Sequence, residues 1–243
     1  MSELTKSQVD RLADRLRKGN ISEDDLRLLD SYRRSFTDAY ETVVEQIRDQ
    51  LKLEPTGRPA KSTTSITEKL QRESIRLSQM QDIAGCRIIV TDVPTQDDVV
   101  ARLKDLFETF SLIDRRENPS HGYRAVHVIV NSGGKSVEIQ VRTSLQHLWA
   151  ELSEKLADVI DPSIKYGGGD PEVLDSLSVA AKEIIDVEIA ESALNAILRA
   201  GAEDRRFLED SGRTIMKAQE LIAAHRSRVV RLITSMGEIV PED

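Results

Sequence analysis

The run Val137-Glu138-Ile139-Gln140-Val141-Arg142-Thr143 alternates β-branched residues with an acid, an amide and a cation. Successive side chains of a strand point to opposite faces, so the run predicts a strand with Val137, Ile139 and Val141 on one face and Glu138, Gln140 and Arg142 on the other. A strand that closes a sheet over solvent shows the same pattern, and the neighbouring segments decide what the polar row is for. His121 to Val130 also reads as a strand, and Asn131-Ser132-Gly133-Gly134-Lys135 between the two is rich in turn-formers, which predicts a hairpin. Strand parity there places Tyr123 and His127 on one face and Arg124 on the other. Asp82 to Val90 is a third strand candidate, with an acid at its start and Arg87 within it. Acids on separate strands, Asp82 and Glu138, can share one cation.

Helical patterns surround these strands. Residues 4 to 18 predict a short amphipathic helix ending near Gly19-Asn20, and Ser22-Glu23-Asp24-Asp25 predicts a capping box opening a longer helix to about Leu53. Pro55-Thr56-Gly57-Arg58-Pro59 stops it. Ser65-Ile66-Thr67-Glu68 reads as a second capping box, with a helix to about Met80 that places Ser65, Lys69, Arg72 and Arg76 on one face. That face is either solvated, the common fate of such a run, or an anion site strengthened by the helix N-terminus. Further helices are predicted over about Gln96 to Phe110, Leu145 to Ile160, Glu172 to Arg199 and Glu203 to Ile233, with Asp114 to Pro119 as a loop and Pro162 and Gly167-Gly168-Gly169 as breaks. His147 and Trp149 read as helix packing. The order predicts an α/β (α+β) fold, a small mixed β-sheet flanked by helices. Its divisions are N-terminal helices over 1–53, a core over 54–165 and a C-terminal helical extension over 170–243.

Composition removes several classes of function. The single cysteine, Cys86, excludes an internal disulfide and reads as a small buried hydrophobe. The four histidines, His121, His127, His147 and His225, show no zinc-ligand spacing. Met1 to Lys6 lacks an apolar signal core and no apolar stretch approaches bilayer length, so a cytoplasmic protein with no membrane partner is the expectation. A net charge of −8 opposes non-specific binding of a phosphate backbone, yet Lys52 to Arg87 carries seven Lys/Arg against four Asp/Glu. A local anion site in an acidic protein suits a nucleotide triphosphate.

Four motifs together resemble the synthetase region of RelA/SpoT-type alarmone synthetases, and by size the small single-domain branch. They are Gly57-Arg58-Pro59-Ala60-Lys61 with Ser65-Ile66 and Lys69, then Asp82 to Arg87, then Gly122-Tyr123-Arg124 with His127, then Glu138 to Thr143. They follow the family order over roughly residues 40 to 160. The resemblance implies a nucleotidyltransferase-like synthetase core that moves the β,γ-pyrophosphate of ATP onto the 3′-hydroxyl of GDP or GTP, with AMP released. It implies Mg²⁺ held by Asp82 and Glu138, with Glu138 also the base for the 3′-hydroxyl. Arg58 and Arg87 would stack on the two faces of adenine, as planar guanidinium groups can. Lys61, Lys69 and Arg87 would grip the polyphosphate of ATP, Ser65 would also bind ATP, Tyr123 would stack on the acceptor base, and His127, Gln140 and Arg142 would hold acceptor sugar or phosphate. The sequence has no His-Asp dipeptide, so the resemblance implies synthesis without a built-in hydrolase.

Two departures from the family pattern leave the acceptor open. One extra residue separates Arg58 from Lys61, and the lysines that often precede the tyrosine are replaced here by Asp114-Arg115-Arg116-Glu117. Arg115 and Arg116 then meet either the phosphates of GDP or an RNA backbone. The alternatives are a toxin-type enzyme acting on the tRNA 3′-CCA end or making adenosine alarmones, and an inactive nucleotide sensor with the C-terminal helices as output. Family members assemble as homo-oligomers or pair with a neutralising antitoxin, and both partners are expectations here.

Overall fold

The computed structural model describes residues 4–19, 21–201 and 205–238. Elements in chain order are α1 (Lys6–Arg17), α2 (Glu23–Arg34), α3 (Thr37–Gln46), β1 (Thr56–Arg58), α4 (Thr63–Arg72), β2 (Ala84–Val90), α5 (Val93–Leu106), β3 (Phe110–Asp114), β4 (Val126–Ser132), β5 (Lys135–Thr143), α6 (Ser144–Val159), α7 (Pro171–Gly201) and α8 (Arg205–Glu238). Among the described residues the strands form one mixed sheet in the order β1-β2-β5-β4-β3, with helices around it, as the sequence predicts. The chain forms two compact units. One comprises residues 1–88, 100–113 and 127–141; the other comprises 89–99, 114–126 and 142–243.

In the first unit, Thr5 and Gln8 cap α1 reciprocally, and Ser22 and Asp25 do the same for α2, the latter as predicted. The expected end of the first helix at Asn20 lies outside the described residues. The predicted single helix from Ser22 to Leu53 is broken instead. The Ser35 amide bonds to both Ser31 and Tyr32 carbonyls, and its hydroxyl donates to Tyr32 O at 2.7 Å, tightening the last turn of α2. The break lets Tyr32 and Phe36 bury together edge to face, centroids 5.3 Å apart, and the Lys135 ammonium lies 5.3 Å from the Phe36 ring. After α3 a π-helical turn, Ile47–Leu51, ends at Lys52, whose φ of 56° is left-handed.

Helix α4 begins and ends earlier than expected. Its N-cap is Ser62, whose hydroxyl accepts from the Ser65 amide, so Ser65 sits inside the first turn and is not the cap. It stops at Arg72 rather than near Met80, because Arg17 of α1 donates to Leu70 O and Ile75 O and turns the chain so that Leu77 is fully buried. Arg76 therefore lies off the helix and does not share a face with Lys69.

β1 was not expected from the sequence. It pairs antiparallel with β2 in the register Thr56↔Arg87, Gly57↔Cys86, Arg58↔Gly85. Gly57 has no room for a side chain: a Cβ there would lie 2.4 Å from Gly85 O and 2.6 Å from Cys86 Cα. β3 was also missed, since Phe110 opens a strand rather than closing the preceding helix. α5 runs instead from Val93, with Asp92 accepting from the Thr95 amide at 2.8 Å. The hairpin is present, turning through Gly133 and Gly134 at positive φ, but β4 starts only at Val126. Residues 120–123 form a turn with His121 and Gly122 both left-handed, so strand parity does not relate Tyr123 to His127.

In the second unit, Thr143 and Gln146 form a capping box for α6. Leu145, Trp149, Leu152 and Leu156 of α6 pack with Leu177, Ile184 and Val187 of α7 and Val229 and Ile233 of α8. The expected helix start at Glu203 lies outside the described residues. No described helix is long and apolar enough to cross a membrane.

Candidate functional site

In the first unit, Asp82 stands in the turn before β2 and receives two cations. Lys61 Nζ lies 2.8 Å from its Oδ2 and Lys69 Nζ 3.0 Å from its Oδ1. Lys61 comes from the loop after β1 and Lys69 from α4, so three separate segments meet at one carboxylate. Burial would push the Asp82 pKa up, but the two lysines outweigh it and hold it below the ordinary value. The backbone of Lys61 is fixed at both of its polar groups. Its amide donates to Ile83 O at 2.6 Å, and its carbonyl accepts from Arg33 Nε of α2 at 2.6 Å. Arg33 also reaches Thr63 Oγ1 at 3.3 Å. Arg33 was not singled out from the sequence, because a helical arginine carries no mark of its partner.

Glu138 is held within β5 at a partly buried position. Its Oε1 is 2.7 Å from His127 Nδ1 on β4, and its Oε2 accepts from Gln140 Nε2 at 2.7 Å. The hydrogen bond at Nδ1 assigns that nitrogen as the protonated one. Burial raises the Glu138 pKa, the His127 and Gln140 bonds outweigh it, and the negative charge of Asp82 pushes back up; the net direction is down. The mutual repulsion of Asp82 and Glu138 is what a divalent cation relieves, and hard carboxylate oxygens, one from the turn before β2 and one from β5, fit Mg²⁺. Among the described residues no group of three or more His, Cys, Asp or Glu gathers as a self-contained metal cage. Two carboxylates are nonetheless enough for a magnesium that keeps waters and binds phosphate.

The β1–β2 register places Thr56 opposite Arg87 and Arg58 opposite Gly85, so Arg58 and Arg87 are diagonal neighbours on one face. Diagonal side chains of an antiparallel pair stand about 7 Å apart, which is the spacing of two planes with one aromatic ring between them. Arg58 is exposed, and Gly85 leaves the position opposite it without a side chain. Arg72 pairs with Glu73 at 3.0 Å, as a solvated side chain does.

In the second unit, the Arg142 guanidinium lies over the Tyr123 ring, 5.0 Å from its centroid, and Nη2 donates to the Tyr123 hydroxyl at 2.9 Å. Arg116 is enclosed by acids: it bonds to both Asp114 oxygens and to Asp97 at 2.7 Å. Burial works against its charge, but those acids raise its pKa on balance. Of the two arginines expected to meet acceptor phosphates, only Arg115 is exposed.

Glu188, on α7, was also missed. An acid between Val187 and Ile189 in an apolar stretch was the available signal, the same one that drew attention to Glu138.

The fold and these clusters define a class, a mixed α/β fold with a two-lysine carboxylate centre. Residues 57–157 match the model of the region found in RelA / SpoT proteins. The chain is 27% identical to small alarmone synthetase 1 from Bacillus subtilis, with a TM-score of 0.53 over 69% of this chain and 97% of that one. Against the same protein bound to its product pppGpp the values are 28%, 0.51, 65% and 94%. In sequence it is 40% identical over 111 residues to an uncharacterized protein of Mycobacterium tuberculosis, covering 44% of this chain and 41% of that protein. It is 31% identical over 122 residues to the GTP pyrophosphokinase of Escherichia coli K12, covering 44% of this chain and 15% of that enzyme. The chain thus spans well under half the length of these curated relatives. Residues 57–157 thus carry the region found in RelA / SpoT proteins.

Proposed function

We propose that this protein is a pyrophosphokinase that transfers the β,γ-pyrophosphate of ATP to the 3′-hydroxyl of GDP or GTP. The observation that carries the reading is the convergence of Lys61 and Lys69 on Asp82, at 2.8 and 3.0 Å, inside the matched region. Paired ammonium groups beside a carboxylate are suited to turn toward a polyphosphate when it arrives with its counter-cation. The pppGpp-bound relative supports a guanosine 3′-pyrophosphate product.

Arg58 and Arg87 sandwich adenine, Lys61, Lys69 and Arg87 bind the polyphosphate, and Ser65 also contacts ATP. Asp82 and Glu138 hold Mg²⁺, which when bound neutralises phosphate charge. Tyr123 stacks on the acceptor base, and His127, Gln140 and Arg142 orient its sugar or phosphates. The 3′-oxygen attacks the β-phosphorus, the bond from that phosphorus to the α,β-bridging oxygen breaks, AMP departs with that oxygen, and the hydroxyl proton passes to Glu138. The lowered pKa keeps Glu138 ionised at neutral pH, and its two hydrogen bonds fix where the proton is received. A second reading follows from Arg116: with that side chain sequestered by Asp114 and Asp97, fewer cations face a 5′-polyphosphate, which favours a tRNA 3′ end or another toxin-type acceptor.

The test is AMP release from labelled ATP and Mg²⁺ with GDP, GTP, ATP and deacylated tRNA offered separately, alongside Glu138→Gln. AMP with GDP or GTP, lost in a folded Glu138→Gln protein, is the expected result. AMP only with tRNA or ATP selects the second reading. Nucleotide binding without AMP from any acceptor overturns both in favour of a sensor, and near-wild-type turnover by Glu138→Gln removes Glu138 from the mechanism.

A further inference from the structure

Glu188 is 2% exposed, at the middle of a helix outside residues 57–157. A carboxylate buried in this way persists only with a full set of donors, and it has one. Its Oε2 pairs with Arg124 Nη1, and its Oε1 accepts from Thr143 Oγ1 at 2.7 Å and from Gln146 Nε2 at 2.9 Å. Gln146 is in turn bonded to Gln96 at 2.9 Å, a further buried amide. Arg124 immediately follows Tyr123, and Thr143 immediately follows Arg142. Tyr123 and Arg142 are themselves joined, by the stacked guanidinium and its hydrogen bond to the hydroxyl.

One carboxylate therefore grips the residue after each of the two acceptor-side groups. Tyr123 closes a turn whose central residues, His121 and Gly122, are both left-handed, and a non-glycine residue held in that conformation needs external fixing. Gly122 presses against the Trp149 ring, where a Cβ would be 2.7 Å from Cζ2, and Trp149 donates to Leu177 O of α7 at 2.9 Å. The turn is thus seated on α6 and α7, and Glu188 supplies its charged tether.

We infer that Glu188 is a positioning residue for the acceptor: it fixes Tyr123 through Arg124 and Arg142 through Thr143, making α7 part of acceptor recognition. This rests on the pyrophosphokinase reading for the identity of the acceptor side. Glu188 touches no reacting atom, so its removal alters acceptor binding and leaves ATP binding alone.

The test is Glu188→Gln in the full chain, which keeps the shape and loses the charge. Glu188→Gln/Arg124→Gln accompanies it, so that a folding failure caused by an unpaired buried arginine is relieved. Expected in both is an acceptor KM raised roughly tenfold to a hundredfold, as for a displaced positioning group, with ATP KM unchanged. Amide hydrogen exchange should quicken in residues 120–125 and 142–146 in particular. Unchanged exchange in those segments overturns the inference. So does loosened exchange with a wild-type acceptor KM, or an equal loss of ATP and acceptor. A wild-type protein that binds ATP and takes no acceptor instead fails the reading on which the inference rests.

Discussion

Replacing Arg33 by methionine removes one side chain that holds two points of the segment carrying Lys61, at Lys61 O and Thr63 Oγ1. The bond from Nε to Lys61 O is 2.6 Å and charge-assisted, a type of contact with a net value of about 1.5–3 kcal/mol. The contact to Thr63 Oγ1 is long at 3.3 Å, and the 3.5 Å pair with half-exposed Asp30 adds little. Methionine keeps much of the apolar stem, so the loss is set by the first bond, about 2 kcal/mol. In a chain of this length that corresponds to a fall in Tm of roughly 4–8 °C. The functional consequence is separate, because Lys61 retains only its amide bond to Ile83 O as a backbone anchor. With the loop free to shift by about an ångström, ATP KM should rise roughly tenfold or more while acceptor KM holds. Thermal unfolding and steady-state kinetics with each substrate varied in turn check this, and Arg33→Lys should fall between wild type and Arg33→Met. If Arg33→Met melts with the wild type and keeps its ATP KM, Arg33 does not position Lys61.

Gly57→Ala should detach or shift β1, since its Cβ would meet backbone atoms at 2.4 and 2.6 Å; the expected cost is ~1–3 kcal/mol together with weakened ATP binding, and unchanged binding would show that Arg58 takes no part. Both Asp82 and Glu138 have folded pKa values below their unfolded ones, so the stability they contribute is complete above the unfolded values and is lost as pH falls through the folded ones. Urea midpoints should therefore hold near neutrality and drop below about pH 4, less steeply in Glu138→Gln; identical acid-side slopes would contradict the assignment. The Cys86 thiol is buried, and burial with the nearby Glu138 charge pushes its pKa up to about 12. A thiol reagent at pH 8 should label it at the rate of unfolding, and rapid labelling of the native protein would show that β2 opens.

The polar row on β5 was legible because strand alternation is a local property: Val137, Ile139 and Val141 are fully buried, and Glu138 and Gln140 face the other way. Its last member departs, since Arg142 is itself buried against Tyr123. β1 was illegible because three residues flanked by prolines have no pattern of their own; Gly57 makes the strand by letting β2 approach. The early end of α4 was equally hidden, since its sequence continues to favour helix and what stops it is Arg17, distant in the chain. Tyr123 was singled out from the sequence and placed on the wrong kind of backbone. A left-handed histidine before Gly122 has no reliable sequence signature, and a strand reading carried straight through it.

These misses share a cause that bears on how the site works. Motif side chains must stay free to exchange their partners for a ligand, so what fixes them has to act elsewhere than on their functional atoms. Arg33 holds the carbonyl of Lys61, not its ammonium; Arg17 holds the carbonyl of Leu70, one residue past Lys69 on α4, and that of Ile75 beyond the end of the helix. Glu188 holds Arg124 and Thr143, which directly follow Tyr123 and Arg142. All three anchors lie outside residues 57–157. Each is a charged side chain whose partner is remote in sequence, and a pattern confined to the motifs cannot reveal it. Helices α1, α2 and α7, which flank the matched region, are therefore more than packing, because each supplies a charge that sets backbone next to the motif residues.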